Sequence, residues 1–286
     1  MSRLEVLRDP AVMQTRALAW RRAGRRIGLV PTMGYLHPGH ISLVRLAREQ
    51  ADVVVVSIFV NPTQFGPRED FATYPRDFAR DLELLGAEGA ITVFAPEAAA
   101  VYAPDASVQV CEERLASCLC GATRPGHFRG VLTVCAKLFH LALPDVAAFG
   151  RKDAQQLRLI EQMVRDLNFP LAILPGPIVR EPDGLAMSSR NVRLPAAHRA
   201  QATCLHRALR TIEQAAARGE RRTAALEALL RATIATAPDA RLEYAELRDW
   251  HTLAPAPAQW HAPTLAALAV HFGDVRLIDN TLLTAS

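Results

Sequence analysis

The sequence predicts an α/β protein: a Rossmann-like parallel sheet with helices on both faces, followed by a smaller α+β domain. Three observations carry this. Short apolar runs alternate with helix-spaced segments over residues 1–181, and such alternation closes into a parallel sheet through right-handed crossovers. The run Val53-Val54-Val55-Val56 is apolar without interruption, as a central strand covered on both faces must be. Beyond residue 181 the alternation gives way to two helical segments and then strand-like stretches. Domains are therefore expected at 1–181 and 182–286.

Each element has a local reason. Asp9-Pro10 pairs a capping carboxylate with a first-turn proline and opens a helix over 10–22. A strand over 27–30 leads through a turn into a helix reaching about residue 50. The strand at 52–60 ends in Asn61-Pro62-Thr63-Gln64-Phe65-Gly66. A helix over 77–85, strands over 90–94 and 107–110, a helix over 126–143, a strand over 146–149 and a helix over 153–167 follow. A strand over 171–179, interrupted by Pro175 and Pro177, ends the first domain. Glu181-Pro182-Asp183-Gly184 reads as a turn or hinge. The second domain is expected to hold helices over 195–218 and 223–236 and strands over 241–247, 265–270 and 275–279.

Composition narrows the class. A chain of 286 residues, 50% hydrophobic, can bury one large core or two modest ones. The net charge of +4 is spread among interspersed acids and bases, which does not mark a nucleic-acid binder. No apolar stretch reaches membrane length, and the first residues lack a signal-peptide core; a cytoplasmic protein without membrane or nucleic-acid partners is expected. Cys111, Cys118, Cys120, Cys135 and Cys204 are odd in number and lack Cys-x-x-Cys spacing. They argue against a structural zinc or a disulfide framework and read as small hydrophobes. No protein metal ligand is assigned.

The densest chemistry lies in Pro31-Thr32-Met33-Gly34-Tyr35-Leu36-His37-Pro38-Gly39-His40. Imidazoles three residues apart share one face of a helical turn, and Gly39 leaves the backbone uncovered. A helix N-terminus is expected to offer free N–H groups and partial positive charge. Two histidines donate hydrogen bonds to anionic oxygens without the desolvation cost of two lysines. The pattern reads as a nucleotide triphosphate site. Of the 33 basic residues only Lys137 and Lys152 are lysines. Lys152 stands at a second strand-to-helix junction, Phe149-Gly150-Arg151-Lys152-Asp153, where a flexible point charge suits phosphate; Lys137, inside a predicted helix, reads as solvated or snorkelling. The glycine-preceded loop Leu185-Ala186-Met187-Ser188-Ser189-Arg190-Asn191 carries two hydroxyls and a guanidinium, an anion clamp in physical terms. Gln64 and Gln156, at strand ends, offer neutral, directional donors to a substrate carboxylate or hydroxyl, or else tie loops together.

Pro31–His40, Phe59–Gly66, Tyr74-Pro75-Arg76, Arg124–Val131, Phe149–Gln156, Met187–Asn191 and Arg276–Asn280 occur together and in this order. On these blocks the chain resembles, nearly end to end, the pantothenate synthetase (pantoate–β-alanine ligase) family of the His-x-Gly-His nucleotidyltransferase superfamily. The resemblance implies that pantoate attacks the α-phosphate of ATP to give pantoyl adenylate and pyrophosphate, and that β-alanine then displaces AMP. It implies Mg²⁺ held mainly by the phosphates, and a homodimer. It places ATP against Met33, Gly34, Tyr35, Leu36, His37, Pro38, Gly39, His40, Gly150, Arg151, Lys152, Asp153, Val179, Met187, Ser188, Ser189 and Arg190. Of these it marks His40 (as proton donor), His37, Lys152, Ser188, Ser189 and Arg190 as catalytic. It gives Gln64 and Gln156 to pantoate, with Gln64 also near β-alanine. Met33 and Val179 serve packing as readily as lining, and Asp153 is placed to cap its helix as well as to face ribose. Arg124 and His127 either attract the β-alanine carboxylate or stabilise the pocket. Arg151 replaces a family position more often acidic or amide. Another adenylate-forming enzyme of the same fold, or a non-catalytic nucleotide-binding regulator, remain as alternatives; a tRNA synthetase would need an RNA-binding domain that 182–286 does not supply.

Overall fold

The computed structural model describes residues 4–67, 69–89 and 91–284. They form two compact units, Met1–Ser117 with Gly121–Arg151 and Gln156–Pro177, and Ile178–Ser286 with Cys118–Cys120 and Lys152–Gln155.

In the first unit β1 (Glu5–Leu7), α1 (Pro10–Arg22), β2 (Ile27–Thr32), α2 (Pro38–Arg48), β3 (Val53–Ile58), α3 (Phe78–Ala87), β4 (Ile91–Phe94), α4 (Ala98–Val101), α5 (Leu119–Thr123), α6 (His127–Ala142), β5 (Val146–Gly150), α7 (Ala154–Asp166) and β6 (Ala172–Gly176) follow one another. α5 and α7 each begin on residues assigned to the second unit. All six strands pair in parallel, in the order β1-β4-β3-β2-β5-β6. Val54 and Val56 are buried with Val44, Ala47 and Leu85 of α2 and α3. Val53 and Val55, out of phase by one residue, are buried as well and face the opposite way. Both faces are thus covered, which is what an uninterrupted valine run requires. Asp9 caps α1 by accepting from Ala11 and Val12 N–H. β2 and β3 run side by side, and the chain crosses to the other side of β2 only at β5. Such a reversal leaves a crevice at the carboxyl end of the central strands, and α2 starts there.

In the second unit α8 (Ala196–Ala202), α9 (Cys204–Ala217) and α10 (Thr223–Ile234) precede the antiparallel sheet β7 (Ala240–Asp249), β8 (Thr264–Phe272) and β9 (Val275–Leu283). Leu205, Leu209 and Ile212 of α9 and Leu226 and Leu230 of α10 share a core with Leu268 and Phe272 of β8.

The structure departs from expectation at several points. β1 was not foreseen. Residues 107–110 form no strand; Val110 N–H donates instead to Thr133 Oγ1 at 3.0 Å, a side-chain acceptor in place of a ladder. The helix expected over 195–218 is two, separated at Thr203, whose hydroxyl donates back to Ala200 O at 3.0 Å. Ala90, the expected start of β4, lies outside the described residues.

Candidate active site

The turn between β2 and α2 is held by partners outside the motif. Gly34 (φ +82°) and Tyr35 (φ +51°) are both left-handed, and a Cβ on Gly34 would lie 3.0 Å from Ile58 and 3.1 Å from Asp81; only glycine suits that position. Gly34 N–H donates to Thr32 Oγ1. Tyr35 and Leu36 N–H donate to the carboxylate of Asp81, at 2.8 and 2.6 Å. Asp81 is buried, and that burial raises its pKa against the pull of the two N–H donors and Arg80. Arg80 closes the turn, donating to Leu36 O at 2.9 Å with its guanidinium over the Tyr35 ring. Motif reading missed Asp81; its signal was an acid set among Phe78, Leu82 and Leu85 on the apolar side of an amphipathic helix.

The helix start differs from the expectation of free N–H groups. His37 is the N-cap of α2, and its Nδ1 accepts from Gly39 N–H at 3.2 Å. His40 Nδ1 accepts from His37 N–H at 3.3 Å, closing a reciprocal capping box. Pro38 has no N–H, and those of His40 and Ile41 bond to His37 O. The first turn therefore has no spare backbone donor for a phosphate. What it presents instead follows from the tautomers: an Nδ1 that accepts leaves the proton of a neutral imidazole on Nε2. Both rings carry an Nε2–H donor, with ring centroids 4.0 Å apart. Tyr35 and Leu36 spend their N–H groups on Asp81 of α3, and Gly39 spends its own on His37.

Beyond β3, Asn61 is almost fully buried and fully used. Its Oδ1 accepts from Thr63 and Tyr102, and its Nδ2 donates to Gly130 O and Gln64 Oε1, both at 3.1 Å. Gln64 Nε2 donates to Met33 Sδ at 3.2 Å, which joins two predicted site residues. Lys137 is not simply solvated: its ammonium lies 5.6 Å from the Tyr102 ring centroid. Arg124 is bound bidentately by Glu69 at 2.8 and 2.5 Å, and its Nη1 donates to His127 Nε2 at 2.9 Å. His127 Nδ1 must then carry its proton, donated to Gln64 O at 2.8 Å. Burial would raise the Glu69 carboxyl, but Arg124 outweighs it and holds the pKa low. Through His127 this network reaches the backbone of the Gln64 turn.

Gly150 ends β5 and Arg151 opens the short 3₁₀ turn after it, both in the first unit, and Gln156, half-buried, sits in the first turn of α7. Gln155 is spent on structure, accepting from Cys120 N–H and donating to Cys118 O.

Lys152 and Asp153 belong to the second unit, within a short 3₁₀ turn ahead of α7. Val179 and Met187 pair across a tight hairpin, Met187 N–H to Val179 O at 3.0 Å. Its turn at 181–184 is pinned rather than loose: Arg199 binds both Glu181 and Asp183 at 2.6 Å, and a Cβ on Gly184 (φ +95°) would strike His206. Ser188, Ser189 and Arg190 follow at once. Ser188 Oγ accepts from Arg190 N–H, and Asn191 ties back to Glu181 and Ala186 O. Cys120 is more than a small hydrophobe, its Sγ lying 3.1 Å from Tyr244 Oη and 3.4 Å from Arg276 Nη2.

A parallel sheet whose central strand runs into an imidazole-capped helix defines the His-x-Gly-His nucleotidyltransferase class. Within it, the family model for pantoate–beta-alanine ligase matches residues 5–282, and the chain belongs to that family. It is 51% identical to the pantothenate synthetase of Geobacter sulfurreducens over 98% of this chain and 99% of that protein. It superposes on the pantothenate synthetase of Thermus thermophilus with a TM-score of 0.93, at 41% identity, over 98% of this chain and all of the other. The pantoate–beta-alanine ligase of Francisella tularensis, solved in complex with beta-gamma ATP and beta-alanine, matches with a TM-score of 0.80 at 33% identity over 98% of both chains. The chain is thus an ATP-dependent ligase that makes pantothenate from pantoate and β-alanine by way of pantoyl adenylate, releasing AMP and pyrophosphate.

Proposed function

We propose that the Nε2–H groups of His37 and His40 meet the phosphates of ATP and stabilise the charge that builds on them as a pantoate carboxylate oxygen attacks the α-phosphorus and pyrophosphate leaves. One observation carries this: both Nδ1 atoms are bound to backbone, which turns the rings into fixed donors. Donors preset where charge develops need no rearrangement during reaction. His40 is the proton donor of the pair. Lys152 adds a mobile point charge to the phosphates, and Ser188, Ser189 and Arg190 supply two hydroxyls and a guanidinium for the same anion. Met33, Gly34, Tyr35, Leu36, Pro38, Gly39, Gly150, Arg151, Asp153, Val179 and Met187 complete the nucleotide contacts through shape and side chains; in the histidine turn the backbone donors are already committed.

Pantoate is bound by Gln64 and Gln156, neutral donors that leave the nucleophilic carboxylate charged. In the second half-reaction the β-alanine nitrogen attacks the acyl carbon, the C–O bond to AMP breaks, and the amine loses a proton. Positioning supplies most of the acceleration. Mg²⁺ neutralises the phosphates when bound. The family resemblance implies that the phosphates would be its main ligands. We also propose that the 182–286 segment closes as a lid about the 181–184 turn and that the enzyme is cytoplasmic; the homodimer follows the family resemblance. Among the described residues no helix is long and apolar enough to cross a membrane.

The test is product analysis with each substrate withheld. Pyrophosphate should form from ATP only when pantoate is present. His40→Ala should lower turnover on the order of 100–1000-fold, with a smaller change in ATP affinity. Pyrophosphate formed without pantoate, or a His40→Ala enzyme at wild-type turnover, would overturn the assignment.

A further inference from the structure

The Arg276–Asn280 block marks this chain's likeness to its family, yet none of its side chains enters the chemistry above. The structure gives it work. Asn280, on β9, is buried, and its Nδ2 donates to the backbone carbonyl of Lys152 at 2.8 Å across 128 residues of sequence. The adjacent Asp279, also buried, takes Arg180 in a bidentate pair at 2.6 and 3.1 Å. Arg180 also donates to Gly184 O at 3.0 Å, within the hairpin that delivers Met187–Arg190. Asp279 Oδ1 also accepts from the backbone N–H of Asn280 at 2.9 Å, which fixes the Asp279 carboxylate against its own strand. Two neighbouring residues of one strand thereby hold the roots of the two phosphate-binding segments of the second unit.

We propose that Asn280 is a positioning residue for the ligation, acting through Lys152, an inference that rests on the phosphate role given to Lys152 above. A lysine side chain is a flexible four-carbon stem, so the reach of its ammonium is set by where the backbone starts it. Lys152 lies at the centre of a three-residue 3₁₀ turn between β5 and α7, and the carboxamide of Asn280 ties the carbonyl of that turn to β9. Without it, the ammonium samples a wider volume and spends less time on the phosphates as charge grows there.

The test is a double-mutant cycle on the full-length enzyme with Asn280→Ala, Lys152→Ala and the pair, following pyrophosphate release and correcting for folded fraction by circular dichroism. Loss of one such hydrogen bond should cost Asn280→Ala on the order of tenfold in kcat, with the KM for pantoate little changed. In the Lys152→Ala background the same substitution should cost less than about twofold, because residues acting through one another are not additive. If Asn280→Ala does not fold, Asn280→Ser, which keeps a shorter donor, carries the same cycle. A tenfold loss that persists in the Lys152→Ala background, or a loss that disappears once activity is corrected for folded fraction, overturns the positioning role and leaves the Lys152 reading intact. A Lys152→Ala enzyme at wild-type turnover overturns that reading and this inference with it.

Discussion

Gly130→Ala asks how tightly the Gln64 turn must be held. Gly130 lies in the first turns of α6, and its carbonyl accepts from Asn61. A Cβ built there would sit 2.4 Å from Thr63 O and 2.6 Å from Gln64 N, both backbone atoms that no side-chain rotation can clear. Real Cβ atoms essentially never approach closer than 3.0 Å, so helix and turn must part by about half an ångström or more. Overpacking of this kind costs about 1–3 kcal/mol, and Tm in a chain of this size falls by roughly 2–4 °C per kcal/mol. Catalysis should suffer more. A misplacement of about 1 Å costs on the order of 100-fold, so a shift of half that predicts roughly a tenfold loss in kcat/KM for pantoate, while ATP affinity holds. Steady-state kinetics with pantoate as the varied substrate, beside a thermal melt, reads both. A variant whose melt drops but whose pantoate kinetics stay within about twofold of wild type would show that the turn does not set the Gln64 geometry.

Gly86→Ala should go the other way: Gly86 lies inside α3 with open space around it, so alanine should stabilise by about 0.5–1 kcal/mol, and a melt no higher than wild type would contradict this. Glu69→Gln tests the Arg124 network. The Glu69 pKa is lowered in the folded state, so its stabilisation is present above the unfolded value and lost as pH falls through the folded one. The variant should be less stable than wild type by roughly 1–3 kcal/mol at pH 7, and denaturant melts should bring the two together as pH drops below about 4.5. A gap that stays constant with pH would remove Glu69 ionisation from the account.

Much of the fold could be read from local signals. Asp9-Pro10 starts α1 where capping chemistry places it, and the valine run is the central strand its burial demands. β1 escaped notice because three residues, Glu5–Leu7, are too few to show a period. Ser107–Val110 alternates like a strand but has no neighbour to pair with. At the site, residue identities were legible and their supports were not. His37 and His40 announce themselves, whereas the Asp81 carboxylate that shapes their turn lies 45 residues from Leu36, and Glu69 lies 55 from Arg124. Partners so far apart in sequence become visible only when the sheet brings them together. One local inference also misled: free N–H groups at a helix start are the general case, but here the imidazoles consume them.

That consumption divides each histidine ring in two. The inner nitrogen of each ring accepts from the scaffold, and the outer one carries the proton. An asparagine at position 40 would preserve the inner half and delete the outer, and a glutamine would do the reverse; together they separate what builds the corner from what works in it.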